Sequence, residues 1–173
     1  MTLRCHPDTP CDAVTAVRAR VEKNPAGLRL RYEIEGDLGR LRIPPPRAAR
    51  VAEQLWQHTC CELFVRRAGS PAYREYNFSP SGEWAAYEFE RYREGALLAD
   101  AALDPKIVLR RGASGLELEA GVAAPGGKLA LGLSAVIEEE GGRLSYWAMR
   151  HPPGKPDFHH LDAFALELDE IRH

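Results

Sequence analysis

Leu28, Leu30, Tyr32 and Ile34 alternate with Arg29, Arg31, Glu33 and Glu35. A period of two in apolar and charged residues is the signature of a strand with one buried face, and a helix would bring both kinds of residue onto the same side. Residues 36–39 supply a glycine turn, and Arg40 to Ile43 resume the alternation until three prolines at 44–46 stop it, so a hairpin ending at Ile43 is predicted. The same pattern predicts strands at residues 13–22, 58–66, 72–79, 84–90, 106–111, 116–123, 129–139, 144–149 and 163–168, with turns at 68–71, 80–82, 125–127 and 141–142. Residues 48–55 and 90–102 have helix-forming composition but are short, and equally suit surface turns packed over an edge. About ten strands without long alternating helices predict an all-β chain, a two-sheet antiparallel β-sandwich with one or two short helices. With 173 residues, 45% of them hydrophobic, one core and a single domain spanning 1–173 are expected.

A net charge of -2 excludes the broad basic footprint that nucleic acid or an anionic membrane requires, so neither is an expected partner. Arg40, Arg42, Arg47 and Arg50 read as a solvated face. Residues 1–17 lack both a cationic segment and an apolar segment of the secretory type, so the expectation is a cytoplasmic chain with reduced Cys5, Cys11, Cys60 and Cys61. Cys60 and Cys61 are adjacent in a predicted strand and point to opposite faces, which argues against a mutual bridge or metal site.

Two aromatic-rich blocks, Cys60 to Phe89 and Ser145 to His160, place flat side chains beside carboxylate, amide and imidazole groups. Such a mixture suits a site for a small polar ligand. If Cys61, Leu63 and Val65 point into the core, Glu62 and Phe64 point away from it. In the next strand Arg74, Tyr76 and Phe78 share one face, and Tyr73, Glu75, Asn77 and Ser79 the other. In the third, Ala85, Tyr87 and Phe89 read as core, which leaves Trp84, Ala86 and Glu88 outside with Glu62, Glu75 and Asn77. Acid, amide and indole on one face is what sugar recognition needs: hydroxyls take polar hydrogen bonds while the ring stacks on an aromatic plane.

The run Cys60-Cys61-Glu62-Leu63-Phe64-Val65, followed by Tyr73-Arg74-Glu75-Tyr76-Asn77-Phe78-Ser79-Pro80-Ser81-Gly82-Glu83-Trp84, resembles the core of the DOMON-like and family 9 carbohydrate-binding-module superfamily. The segment His151-Pro152-Pro153-Gly154-Lys155-Pro156-Asp157-Phe158-His159 resembles a bacterial subgroup of DOMON-like domains. The resemblance implies a non-catalytic β-sandwich that binds carbohydrate, or in some DOMON domains haem, and carries over Glu62, Asn77 and Trp84. Cys60 and Cys61 stand where acidic residues often occur, and a cytoplasmic sugar derivative is the more reasonable ligand.

In the second block the prolines at 152, 153 and 156 exclude a sheet interior and stiffen an exposed loop. Arg150, His151, Lys155 and His159 on it suit an anionic group of a ligand, while Asp157 and His159 equally suit pinning of the loop. No spacing of His151, Asp157, His159 and His160 matches a zinc signature, and Met149 with the histidines offers axial ligand types without a legible haem pocket. No metal or cofactor is expected. The reading is therefore a saccharide-like small-molecule binder: stacking by Trp84 and Trp147, hydrogen bonds from Glu62, Glu75 and Asn77, and charge contacts from Arg150, His151, Lys155, Asp157 and His159. A glycan hydrolase using Glu62 and Glu75, or a protein-interaction domain using exposed aromatics, stay open beside it. His58 near Cys60 and Cys61 lacks an oxyanion-hole motif, so no catalytic residue is assigned.

Overall fold

The computed structural model describes residues 1–98, 100 and 103–169. The strands are β1 (Thr2–Cys5), β2 (Val14–Asn24), β3 (Gly27–Gly36), β4 (Cys60–Arg67), β5 (Tyr73–Phe78), β6 (Trp84–Arg91), β7 (Glu94–Leu97), β8 (Val108–Arg111), β9 (Gly115–Val122), β10 (Leu129–Glu138), β11 (Leu144–Ala148) and β12 (Leu166–Leu168). The fold is all-β and antiparallel, with helical structure among the described residues confined to short 3-10 turns.

The strands are hydrogen-bonded into a single open sheet, an arrangement compatible with the expected sandwich but not divided into two separate sheets. They form one continuous order, β7-β6-β5-β4-β10-β11-β1-β2-β3-β9-β8, with β12 added on β10. The reason is β1, which shares its short length between two neighbours. Arg4 and Cys5 pair with Ala148 and Trp147 of β11, and Thr2 and Leu3 pair with Arg18 and Val17 of β2. The core then takes residues from both arms: Leu28, Leu30, Tyr32 and Ile34 of β3, Cys61, Leu63 and Val65 of β4, and Leu129, Leu131 and Leu133 of β10. Tyr32 is fully buried, and its hydroxyl donates to the Glu62 carbonyl at 2.5 Å although β3 and β4 are not neighbours in the strand order. Alternation leaves the other face of β3 and β9 charged, where Arg29 pairs with Glu119, Arg31 with Glu117, and Arg110 with both glutamates.

Of the two readings open for the segments of helix-forming composition, the described residues take the non-helical one, apart from one 3-10 turn. Residues 90–98 complete β6, turn at Arg93 with φ 57°, and return as β7, because edge pairing with Tyr87, Glu88 and Phe89 satisfies backbone groups that a short isolated helix would not hold. Residues 99, 101 and 102 of that segment lie outside the described residues. Residues 48–52 run extended beside Trp84, whose N–H donates to the Arg50 carbonyl and whose carbonyl accepts from Ala52 N–H, and only Leu55–Gln57 makes a helical turn. Arg40 to Ile43 do not fold back on β3 either. Leu41 bridges Glu139, and Arg42 N–H donates to the Glu138 carbonyl.

The arm containing β4, β5, β6 and β10 is largely buried on both faces. Every residue of β10 is buried, with Leu131, Leu133 and Ala135 in the main core and Ala130 and Val136 in a second cluster formed with Phe64, Tyr73, Phe89, Phe158 and Phe164. The loop after β11 lies over this outer face. Gly132 lets it approach: a Cβ there would stand 3.1 Å from the Ala163 carbonyl oxygen.

Candidate functional site

Between the outer face of β4, β5 and β6 and the loop carrying Pro156, Phe158 and His159 lies a cavity of ≈ 380 Å³. Phe64, Tyr87, Phe89, Tyr146, Phe158 and Trp56 form its aromatic walls, and Glu62 and Glu75 bring carboxyl groups to it. Its volume lies within the usual range of small-molecule pockets. Strand pairing fixes its acidic part. Glu62 sits directly opposite Asn77, and Phe64 opposite Glu75, so all four share the face turned away from the core.

The two carboxyls are almost shielded from water, at 2% exposure for Glu62 and 5% for Glu75. Ser134 Oγ donates to Glu62 Oε2 at 3.2 Å, and Asn77 Nδ2 donates to Glu75 Oε1 at 2.9 Å. Burial pushes the Glu75 carboxyl up to about 7, with the Asn77 bond and the Arg93 charge pulling the other way. Burial and then the neighbouring Glu75 charge hold Glu62 well above the usual carboxylate range. Both carboxyls are thus held towards their protonated forms, and ionisation of one opposes that of the other.

His159 closes one side. Its Nδ1 lies 2.8 Å from the Tyr73 hydroxyl, and its Nε2 faces Glu75 Oε2 at 3.6 Å. Phe64 and Phe89 stand edge-on to its ring, each at 5.1 Å between centroids. Burial, followed by the Arg93 charge, lowers its pKa to about 4, so the imidazole is neutral near pH 7. Arg93 lines the cavity but is engaged elsewhere: its guanidinium donates to Asp157 Oδ1 at 2.9 Å and to the Tyr92 hydroxyl at 3.2 Å.

The predicted site residues divide accordingly. Glu62, Glu75 and His159 line the cavity, with Asn77 fully buried behind Glu75 and its Oδ1 without a hydrogen-bond partner among the described residues. Asp157 accepts from Arg93, Tyr92 and the His159 N–H, and so pins the loop. His151 contacts the Arg4 carbonyl at 2.8 Å and stacks edge-on against His6, outside the cavity. Arg150 and Lys155 are exposed and outside the lining.

Trp84 and Trp147 are corrections. Trp84 is 3% exposed and packs in the core opposite Phe78, while Trp147 is 7% exposed and donates from Nε1 to Ser145 Oγ. Neither indole is available for stacking. The β6 face was misread because apolarity does not distinguish the two sides of a sheet whose outer face is also aromatic; the hairpin does. Phe78 and Trp84 flank the turn at residues 79–83 and pair directly, and directly paired residues share a face. Tyr87 and Phe89 thereby move to the cavity side. The indole that does line the cavity, Trp56, is 45% exposed and sits in the 3-10 turn after the proline-rich segment, where no strand periodicity marked it.

Among the described residues no cluster of three His, Cys, Asp or Glu side chains is arranged to hold a metal ion. All four cysteines are free thiols. No helix among the described residues is long and apolar enough to cross a membrane.

The chain matches no protein-family model, and no curated protein matches it in sequence. Among solved structures it is similar to a candidate carbohydrate-binding protein from Bacteroides uniformis, with a TM-score of 0.66 and 14% identity over 95% of this chain and 81% of that one. It is also similar to a family 9 carbohydrate-binding module from Caldicellulosiruptor kristjanssonii in complex with glucose, with a TM-score of 0.53 and 13% identity over 89% and 75% of the two chains. At these identities the likeness defines the fold: this is a chain with the fold of the family 9 modules.

Proposed function

We propose that this chain is a non-catalytic carbohydrate-binding domain whose ligand enters the aromatic-walled cavity above β4, β5 and β6. The observation that carries the reading is the pair of buried carboxyls, Glu62 and Glu75, inside a recess of ≈ 380 Å³ lined by six aromatic side chains. Carboxyl oxygens accept hydrogen bonds from vicinal hydroxyls, and an indole beside them covers the apolar face of a pyranose. Trp56 takes the stacking role, and His159, fixed by Tyr73, offers an N–H beside Glu75. The glucose-bound family 9 module of similar fold supports a saccharide ligand.

In this reading the two arms of the strand order lie face to face as a β-sandwich, supported by the core they share and by the Tyr32 hydrogen bond to β4. Four unpaired thiols support a reducing, cytoplasmic setting and hence a soluble sugar or sugar derivative. The test is tryptophan fluorescence during titration with glucose and short glucans. Saturable quenching that disappears in Trp56→Ala supports the reading, and an unchanged signal with every sugar defeats it. Glycosidase assays on the same sugars are expected to show no turnover.

A further inference from the structure

Five glutamates in the described residues are buried: Glu62, Glu75, Glu83, Glu138 and Glu139. Three of them lie against arginines, Glu83 with Arg50 at 2.7 Å, Glu138 with Arg42 at 2.7 Å and Glu139 with Arg143 at 2.5 Å. The two in the cavity have no such partner. Glu62 makes no ion pair among the described residues, and its carboxyl takes one hydrogen bond, from Ser134. Among the described residues the one ion-pair partner of Glu75 is His159, which is neutral at pH 7, and the nearby Arg93 is committed to Asp157. A buried carboxylate without a counter-charge is strongly disfavoured, so among the described residues the cavity keeps what the other three buried glutamates have neutralised.

We infer that the cavity is built for an amino sugar, a pyranose with a free ammonium group, and that the ammonium seats between Glu62 and Glu75 as the missing counter-ion; this rests on the carbohydrate reading above. The side chains of Phe64, Tyr87, Phe89, Tyr146, Phe158 and Trp56 line the same space, and aromatic rings attract a desolvated cation. A bare metal ion fits less well, because the described residues offer no third carboxylate, thiol or imidazole in ligating array.

Binding of the ammonium has a proton balance. The empty pair is held towards its protonated form and the incoming cation favours the ionised one, so protons leave as the sugar binds, as linkage between the two requires. The groups facing the pair do not alter the sign. Ser134 of β10, Asn77 of β5 and the Cys60 thiol of β4 are neutral, as are Tyr87 of β6, Tyr146 of β11 and His159 of the loop near pH 7, whereas Arg93 and Asp157 offset each other. Affinity for a fixed ammonium therefore climbs as pH rises from 5 towards 7.

Isothermal titration calorimetry at pH 6.5, in two buffers of different ionisation enthalpy, compares D-glucosamine, N-acetyl-D-glucosamine and D-glucose. The expected result is at least tenfold tighter binding of D-glucosamine, with net proton release for it and none for the other two. Glu62→Gln reduces that preference to less than about threefold while its thermal midpoint does not fall, which separates loss of the counter-charge from loss of the fold. Equal binding of all three sugars without proton release overturns the ammonium assignment and leaves the carbohydrate reading standing. Binding of none of them overturns both.

Discussion

Replacing Glu75 by Gln should stabilise the protein, and by an amount that grows with pH. The carboxyl is 5% exposed and is raised from 4.5 to about 7 by burial, so the folded state binds its proton more tightly than the unfolded chain does. Below pH 4.5 both states carry the proton and nothing is lost; as pH rises towards 7 the unfolded chain ionises first, and stability falls. Each pKa unit is worth about 1.4 kcal/mol, which makes the penalty about 1 kcal/mol at pH 5 and about 3 kcal/mol at pH 8. The amide keeps an acceptor for Asn77 Nδ2 and carries no charge to desolvate. His159 works in the opposite direction: its folded pKa of about 4 lies below the unfolded value, so its contribution grows between pH 4 and 6.5. Because Glu62, also raised by burial, adds a fall of its own, the wild-type profile mixes several groups, and the difference between variant and wild type is the informative quantity. Urea unfolding at pH 5 and pH 8 measures it directly, and at pH 8 the midpoint temperature should rise by roughly 6–12 °C. A variant that is less stable than wild type at pH 8, or a difference that does not change with pH, would refute the burial argument.

Other substitutions separate core from cavity. Trp84→Ala empties a core position and should cost about 3–5 kcal/mol by denaturant unfolding, whereas Trp56→Ala should change stability by less than about 0.5 kcal/mol yet weaken sugar binding about tenfold in fluorescence titration. Tyr73→Phe removes the hydroxyl that contacts His159 Nδ1 and accepts from the Arg93 N–H, and a loss of about 1–2 kcal/mol in urea unfolding is expected. Arg150→Ala and Lys155→Ala, both outside the cavity lining, should change calorimetric affinity less than about twofold.

The strand content was legible because alternation survives wherever one face is solvated, as in β3, where Arg29, Arg31, Glu33 and Glu35 stand outside. The parity of β4 was also legible, since Glu62 interrupts an apolar run and Cys61, Leu63 and Val65 enter the core. Apolarity failed for β6, which has an apolar core face and an aromatic cavity face, and there only pairing across the Phe78 and Trp84 hairpin decides the side. Trp147 misled for a related reason: at the end of a short strand it reads as exposed, but β1 pairs with β11 at Cys5 and the indole is enclosed. The short segments of helix-forming composition run extended because local propensity is weaker than the hydrogen bonds that an open strand edge offers. Trp56 and Arg93 lie in turns without periodicity, and their place in the cavity depends on contacts between segments far apart in the chain.

The account stands or falls on where a sugar sits. A crystal structure of the chain with bound glucose should place the pyranose ring beside Trp56, with hydroxyl oxygens within about 3.2 Å of the Glu62 and Glu75 carboxyls. Glucose bound on another surface, with the recess beside Glu62 and Glu75 left unfilled, would contradict it.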